Sequence, residues 1–183
     1  RTRFAAHLDL SPRGSVTQPQ AECLGRVLAA DIAAPIDVPP FDRSGVDGFA
    51  VRAADIAGAT EHSPRRLALN PEVIACGHAP TLALAEGTAT ALATGGMIPR
   101  GADAVVMIEH TELTEDDGGP AIEIRRAAAP GQFIGYAGSD LARGEMLLPR
   151  GTRITSREIG MLAACGLAAV AVYAGLLALA PGQ

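Results

Sequence analysis

Apolar positions fall in short bursts along the chain, each soon ended by glycine or proline. The run DAVVMIEH, from Asp103 to His110, is continuous and rich in valine, the pattern of a buried strand. AIEIRR, from Ala121 to Arg126, alternates strictly, which predicts a strand with one buried and one wet face. TEDDGG between them reads as a turn, so a hairpin is expected over residues 103–126. RRLALN, EVIAC and TLALA read as three separate extended pieces, broken by Pro71, Gly77 and Pro80. The flanking glycines make TATALAT a short element, strand or helix by its period. AVRAADIA reads as a strand entering a turn, and AAVAVYA as a closing strand. RVLAADIAAPIDVPP is extended, because Pro35, Pro39 and Pro40 forbid a helix.

Two stretches carry helix signals. In SREIGMLAACG, Ser156 is the expected cap, Glu158 lies in the first turn, and Ile159, Leu162 and Ala163 share a face that Gly166 ends. In SVTQPQAECLG, Thr17 is the expected cap, Pro19 stands in the first turn and Gly25 closes it. A short helix, many short strands, a second helix and a last strand make a β-rich α+β protein, without regular βαβ alternation.

Composition narrows the function. Alanine abundance alone would suit a helical bundle, but 21 glycines and 13 prolines punctuate the chain too often for long helices. At 48% hydrophobic, its 183 residues suffice for one core or two small ones. A net charge of -5 with arginines only in pairs, Arg65-Arg66 and Arg125-Arg126, argues against a nucleic-acid partner. The longest apolar run, Leu167 to Ala180, is interrupted by Tyr173 and Gly175 and is shorter than the ~20 residues of a membrane span. Cys23, Cys76 and Cys165 are too scattered for a disulfide framework or zinc site, which suits reduced thiols and a cytoplasmic location. His7, His62 and His78 sit in polar stretches and are expected at the surface.

Three glycine-framed motifs can carry chemistry. In DRSGVDGFA, Asp47-Gly48 can form a tight turn that presents a carboxylate, and Gly45 and Gly48 allow a ligand or another backbone to come close. In ATGGMIPRGADAVV, Thr94 precedes Gly95-Gly96, whose successive N–H groups can form a nest for an oxyanion. In GSDLARGEMLLPRG, Asp140 follows two small residues. Taken alone, the first and third read as structural turns and the second as a bulged strand end or a nest. Together, if the fold gathers them, they make a pocket for an anion or a metal-bound anion. Metal ligation by adjacent Glu109 and His110 is disfavoured, since neighbouring strand residues face opposite ways. A metal-dependent hydrolase built on Asp47, Asp140 and Glu109 is an alternative reading.

The order and content of these motifs resemble the N-terminal half of the MoeA family of molybdopterin molybdenumtransferases, related to the C-terminal part of gephyrin. GRVLAADIAAPIDVPPFDRSGVDGFAVRAAD, ATGGMIPRGADAVVMIEHTE and GSDLARGEMLLPRGTRITSREIGMLAACGLAAVAV carry the likeness in register. Arg43 and Gly45-Val46 depart from the usual pattern, as does the tail VYAGLLALAPGQ. The resemblance implies a two-lobed arrangement of short coiled or bifurcated sheets with few helices. One lobe is expected from residues 1–46 plus 131–183 and a β-rich inserted domain from residues 47–130, with no pterin-binding domain in this stretch. It implies insertion of molybdate into adenylylated molybdopterin with release of AMP. Asp47, Thr94 and Asp140 would be catalytic, Ser44, Gly48 and Gly95 would bind substrate, and Asp47 and Asp140 would hold Mg2+ or another divalent cation. It implies a homodimer, a pterin-binding domain in cis or in trans, and the molybdopterin adenylyltransferase as a further partner. The alternative is a noncatalytic oligomerisation or interaction module on the same scaffold.

Overall fold

A computed structural model describes residues 14–116 and 118–177; His7 and the end of the last apolar run lie outside them. Two compact units divide the chain, one formed by residues 1–38 and 140–183, the other by residues 39–139. The fold is β-rich α+β, with thirteen strands and a single α-helix among the described residues.

The discontinuous unit is built on a three-stranded antiparallel sheet. Strand β13 (Ala169–Leu177) lies between β1 (Ser15–Pro19) and β2 (Arg26–Leu28). The helix expected around Thr17 is therefore not there. Ser15 to Pro19 pair residue by residue with Tyr173 to Ala169, and only a 3-10 turn, Gln20–Glu22, follows. Pairing with a neighbouring strand has outweighed the local cap signal, helped by β-branched Val16 and Thr17. Strands β3 (Ile32–Ala33) and β12 (Met146–Leu148) add a short antiparallel ladder. Helix α1 (Ser156–Ala164) forms as expected, with its cap one residue earlier. Thr155 takes the cap position and accepts from the Arg157 N–H, while buried Glu158 accepts from the Thr155 N–H at 2.9 Å and from its hydroxyl. This reciprocal box fixes the helix start. Leu162 faces a core of Cys23, Leu28, Leu148, Ile154 and Val172.

The second unit holds a six-stranded mixed sheet in the order β8-β5-β7-β6-β10-β9. Strand β5 (Gly48–Val51) is buried throughout and pairs antiparallel with β7 (Thr88–Leu92) and β8 (Ala104–Met107). RRLALN and the start of EVIAC are one strand, β6 (Arg65–Ile74), running through Pro71. Its antiparallel partner β10 (Gly119–Ile124) pairs only as far as Ala68, and its parallel register with β7 slips between Leu69 and Val73. Pro71 thus sits where a missing N–H is tolerated. TLALA forms no strand. The expected hairpin is displaced by one element: β10 pairs with β9 (Thr111–Asp116), while the apolar run of β8 pairs with β5. Glu109 and His110 lie in a 3-10 turn, Ile108–His110, rather than at a strand end. His62 and His78 are exposed, as expected. Strands β4 (Arg43–Ser44) and β11 (Ile134–Gly135) form a separate short ladder, so the stretches around 43 and 134 belong to this unit.

Aspartates tie the loops. Asp31 accepts from the Arg150 N–H, Asp37 from Arg143, Asp42 from Ala137, Asp55 from Gly87 and Asp103 from Ala53, all at 2.6–2.9 Å. A short carboxylate that reaches a distant N–H satisfies backbone groups that no strand partner serves.

Candidate functional site

Two loops of the second unit meet to form the site. The first runs from Asp42 to Asp47 and leads into β5; the second runs from Ala93 to Ile98 after β7. Backbone bonds lace them together: Gly95 N–H to Ser44 O at 2.8 Å, Ser44 N–H to Gly96 O at 2.9 Å, and Ile98 N–H to Asp42 O at 2.9 Å. Phe49 is 4% exposed in the core of this unit and anchors the start of β5; Phe41 is half-buried.

Asp47 and Thr94 come together. One Asp47 carboxylate oxygen accepts the Thr94 N–H at 2.6 Å and the Thr94 hydroxyl at 2.7 Å. The Thr94 backbone bond first, and its hydroxyl second, hold the Asp47 carboxyl below the usual carboxylate range. Asp47 is exposed and thus presents a fixed, ionised carboxylate at the surface. Thr94 positions that carboxylate; its hydroxyl proton is directed at Asp47 and not toward an outside anion.

The expected oxyanion nest is not formed. Gly95 donates its N–H to Ser44 O and Gly96 to Ala93 O, so the glycine N–H groups hold the loops together. Ser44 is 2% exposed, and its hydroxyl donates to Val46 O at 2.6 Å while accepting the Val46 N–H at 3.2 Å. Gly48 is needed for strand packing, because a Cβ there would lie 1.9 Å from Val106 O. The Ser44 hydroxyl and the Gly95 N–H bond within the loops, and Gly48 lets β5 pack closely on β8.

Asp140 lies in the other unit, where its N–H donates to Val38 O at 3.0 Å beside the Val38–Leu141 bridge. Among the described residues, no three His, Cys, Asp or Glu side chains gather to hold a metal ion. A single ionised carboxylate still suits Mg2+, which keeps several waters and is commonly held by one or two carboxylates together with substrate phosphates.

Two neighbours escaped the sequence reading. Asp42 fastens the first loop to Ala137. Phe133 accepts the Gly45 N–H on its carbonyl at 2.8 Å. Asp42 stood inside the recognised motif; nothing in APGQFIGY marked Phe133. A cleft of about 440 Å3 also opens beside the second loop, lined in part by Met97, Ile98, Arg100 and Leu82.

Residues 2–166 match the family described as the MoeA N-terminal region, domains I and II. The chain is 40% identical over 157 residues to molybdopterin molybdenumtransferase 2 of Mycobacterium tuberculosis, covering 86% of this chain and 38% of that protein. It is 42% identical over 151 residues to the molybdopterin molybdenumtransferase of Bacillus subtilis, covering 82% of this chain and 35% of that protein. The crystal structure of a molybdopterin biosynthesis MoeA protein from Pyrococcus horikoshii superposes with a TM-score of 0.85 at 37% identity, over 93% of this chain and 42% of the other. The chain thus spans less than half the length of the relatives it matches. Among the described residues no helix is long and apolar enough to cross a membrane.

Proposed function

The chain belongs to the MoeA family through its N-terminal region, and on that premise we propose that it supplies part of the active site of a molybdopterin molybdenumtransferase. The reaction is insertion of molybdate into adenylylated molybdopterin with release of AMP. One observation carries the assignment to this site: an exposed Asp47 carboxylate held ionised and oriented by both donors of Thr94. A fixed anion of this kind suits a divalent cation that offsets charge on phosphate and molybdate oxygens. Mg2+ would supply that neutralisation when bound, and Asp47 would hold it.

In this reading Asp47 acts directly and Thr94 holds it. A second copy of the chain, a pterin-binding domain in cis or in trans and the adenylyltransferase that makes the substrate are the implied partners. The test uses the full-length gene product with adenylylated molybdopterin, molybdate and Mg2+, measuring AMP release and active cofactor. Asp47→Asn should lower both at least about a hundred-fold, the scale of losing a main electrostatic contributor, with an unchanged circular dichroism spectrum. Near-wild-type turnover in a folded Asp47→Asn protein would refute the assignment and favour a noncatalytic role.

A further inference from the structure

Phe133 is the one non-glycine residue with positive φ among the described residues, at 58°. A bulky aromatic side chain in the left-handed region is a true outlier, and such strain persists only where surrounding bonds enforce it. Those bonds are present on both sides. Gly131 donates to Asp103 O at 2.7 Å, Gln132 accepts on its carbonyl from Val105 at 3.0 Å, and Ile134 donates to Gly131 O at 3.2 Å. Ile134 then pairs with Ser44. The turn so fixed carries two exposed aromatic residues, Phe133 at 38% and Tyr136 at 52%, in a chain with only six Phe and Tyr. It is also bonded directly to the candidate loop, through Phe133 O and the Gly45 N–H, two residues from Asp47.

An asparagine or glycine would satisfy the same backbone without strain. The aromatic side chain is thus not required by the turn's backbone, and 38% of the residue stays exposed. We propose that Phe133 is a substrate-binding residue of this site: its carbonyl holds the Ser44–Asp47 loop, and its exposed ring stacks on the flat heteroaromatic part of the substrate. Aromatic faces take such rings without demanding a particular hydrogen-bond pattern. The pterin and the adenine of the adenylylated substrate share this chemistry. The inference rests on the function proposed above.

The test compares Phe133→Asn with Phe133→Tyr in the full-length gene product. Phe133→Asn should raise KM for adenylylated molybdopterin roughly ten-fold, within the range of losing one stacking partner, while Tm stays level or rises. Phe133→Tyr should keep KM within two-fold of wild type. Saturation-transfer NMR with AMP alone and with pterin alone gives a readout independent of turnover. Transfer to the ring protons of one probe should be lost in Phe133→Asn and kept in Phe133→Tyr, and identifies which ring stacks. An unchanged KM in Phe133→Asn, or equal losses in both variants, would overturn the proposal. If the wild-type protein makes no cofactor, the function fails on its own, and the NMR still decides: transfer lost only in Phe133→Asn upholds the stacking site, and transfer kept or absent throughout refutes it.

Discussion

Thr94 presents both its amide N–H and its hydroxyl to the same carboxylate oxygen of Asp47, at 2.6 and 2.7 Å. The two residues are 47 positions apart, and the laced loops are what bring them together. Thr94→Val removes the hydroxyl and leaves the N–H. Turnover of the full-length gene product should fall roughly ten- to hundred-fold, the worth of one hydrogen bond to a charged group, and Thr94→Ser should retain most of it. The Asp47 carboxyl titration, followed by NMR, should move up in Thr94→Val and stay low in Thr94→Ser.

Glu158 sets an acid limit on the discontinuous unit. Its carboxyl is pulled down from 4.5 to about 2, first by the Thr155 hydroxyl, then by Arg157 and the Thr155 N–H. A depressed carboxyl contributes stability that is fully present above the unfolded value and lost as pH falls through the folded one. Glu158→Gln should therefore cost about 1–2 kcal/mol at pH 7, as for a lost helix cap. The gap in Tm between variant and wild type should close between pH 4.5 and pH 2. A gap unchanged at pH 2 would contradict the cap.

Gly48 tests the packing of the central strand. A Cβ at this position would stand 1.9 Å from Val106 O, in backbone that cannot yield as a side chain would. Gly48→Ala should destabilise by about 3 kcal/mol or more, beyond ordinary overpacking. Gly119 faces open space, but at φ 96° its alanine variant tests backbone strain alone and should cost less. Urea midpoints of the two variants check the order.

Asp103 accepts the Ala53 N–H at 2.6 Å across 50 residues. Asp103→Ala leaves that N–H without its acceptor and should cost about 1–3 kcal/mol. Asp103→Asn keeps a carbonyl oxygen and should cost less, again by urea midpoint.

Thiol labelling reads the second loop. Cys23 and Cys165 are buried, and burial also pushes the Cys23 thiol up; Cys76 is exposed. The native chain should react quickly at one thiol and at three in denaturant. The Cys76 Sγ lies 3.4 Å from where a Cβ on Gly95 would stand. Labelling at Cys76 should accordingly shift the Thr94 and Gly95 amide resonances, and blocking it by Cys76→Ser should abolish the shift.

The local signals in the sequence were reliable where one element's own residues decide its state. The apolar run of β8, the alternation of Ile122 and Ile124, and helix α1 all formed where their patterns pointed. The signals failed where a partner decides. Residues 15–19 carry a helix cap signal but lie against β13, and Pro71 passes inside a strand because its neighbours' registers end or slip there. At the site, the Asp47 motif was visible as residues, and the Asp47–Thr94 bond was not, since it depends on loops meeting. Gly95 and Gly96 looked like donors awaiting an anion; only the fold shows their N–H groups bonded to backbone carbonyls. The strain at Phe133 had no sequence signature, because left-handed backbone is ordinarily announced by glycine or asparagine.

The pairing of β1 with β13 has a consequence for synthesis. Residues 39–139 form a continuous unit, whereas the other unit joins Ser15–Pro19 to a strand that starts at Ala169. On the ribosome, the first strand must wait for about 150 further residues before its partner exists, roughly eight to thirty seconds at ordinary elongation rates. The site-bearing unit can close in that interval. The waiting strand is short and carries a proline, features that limit pairing with the wrong chain.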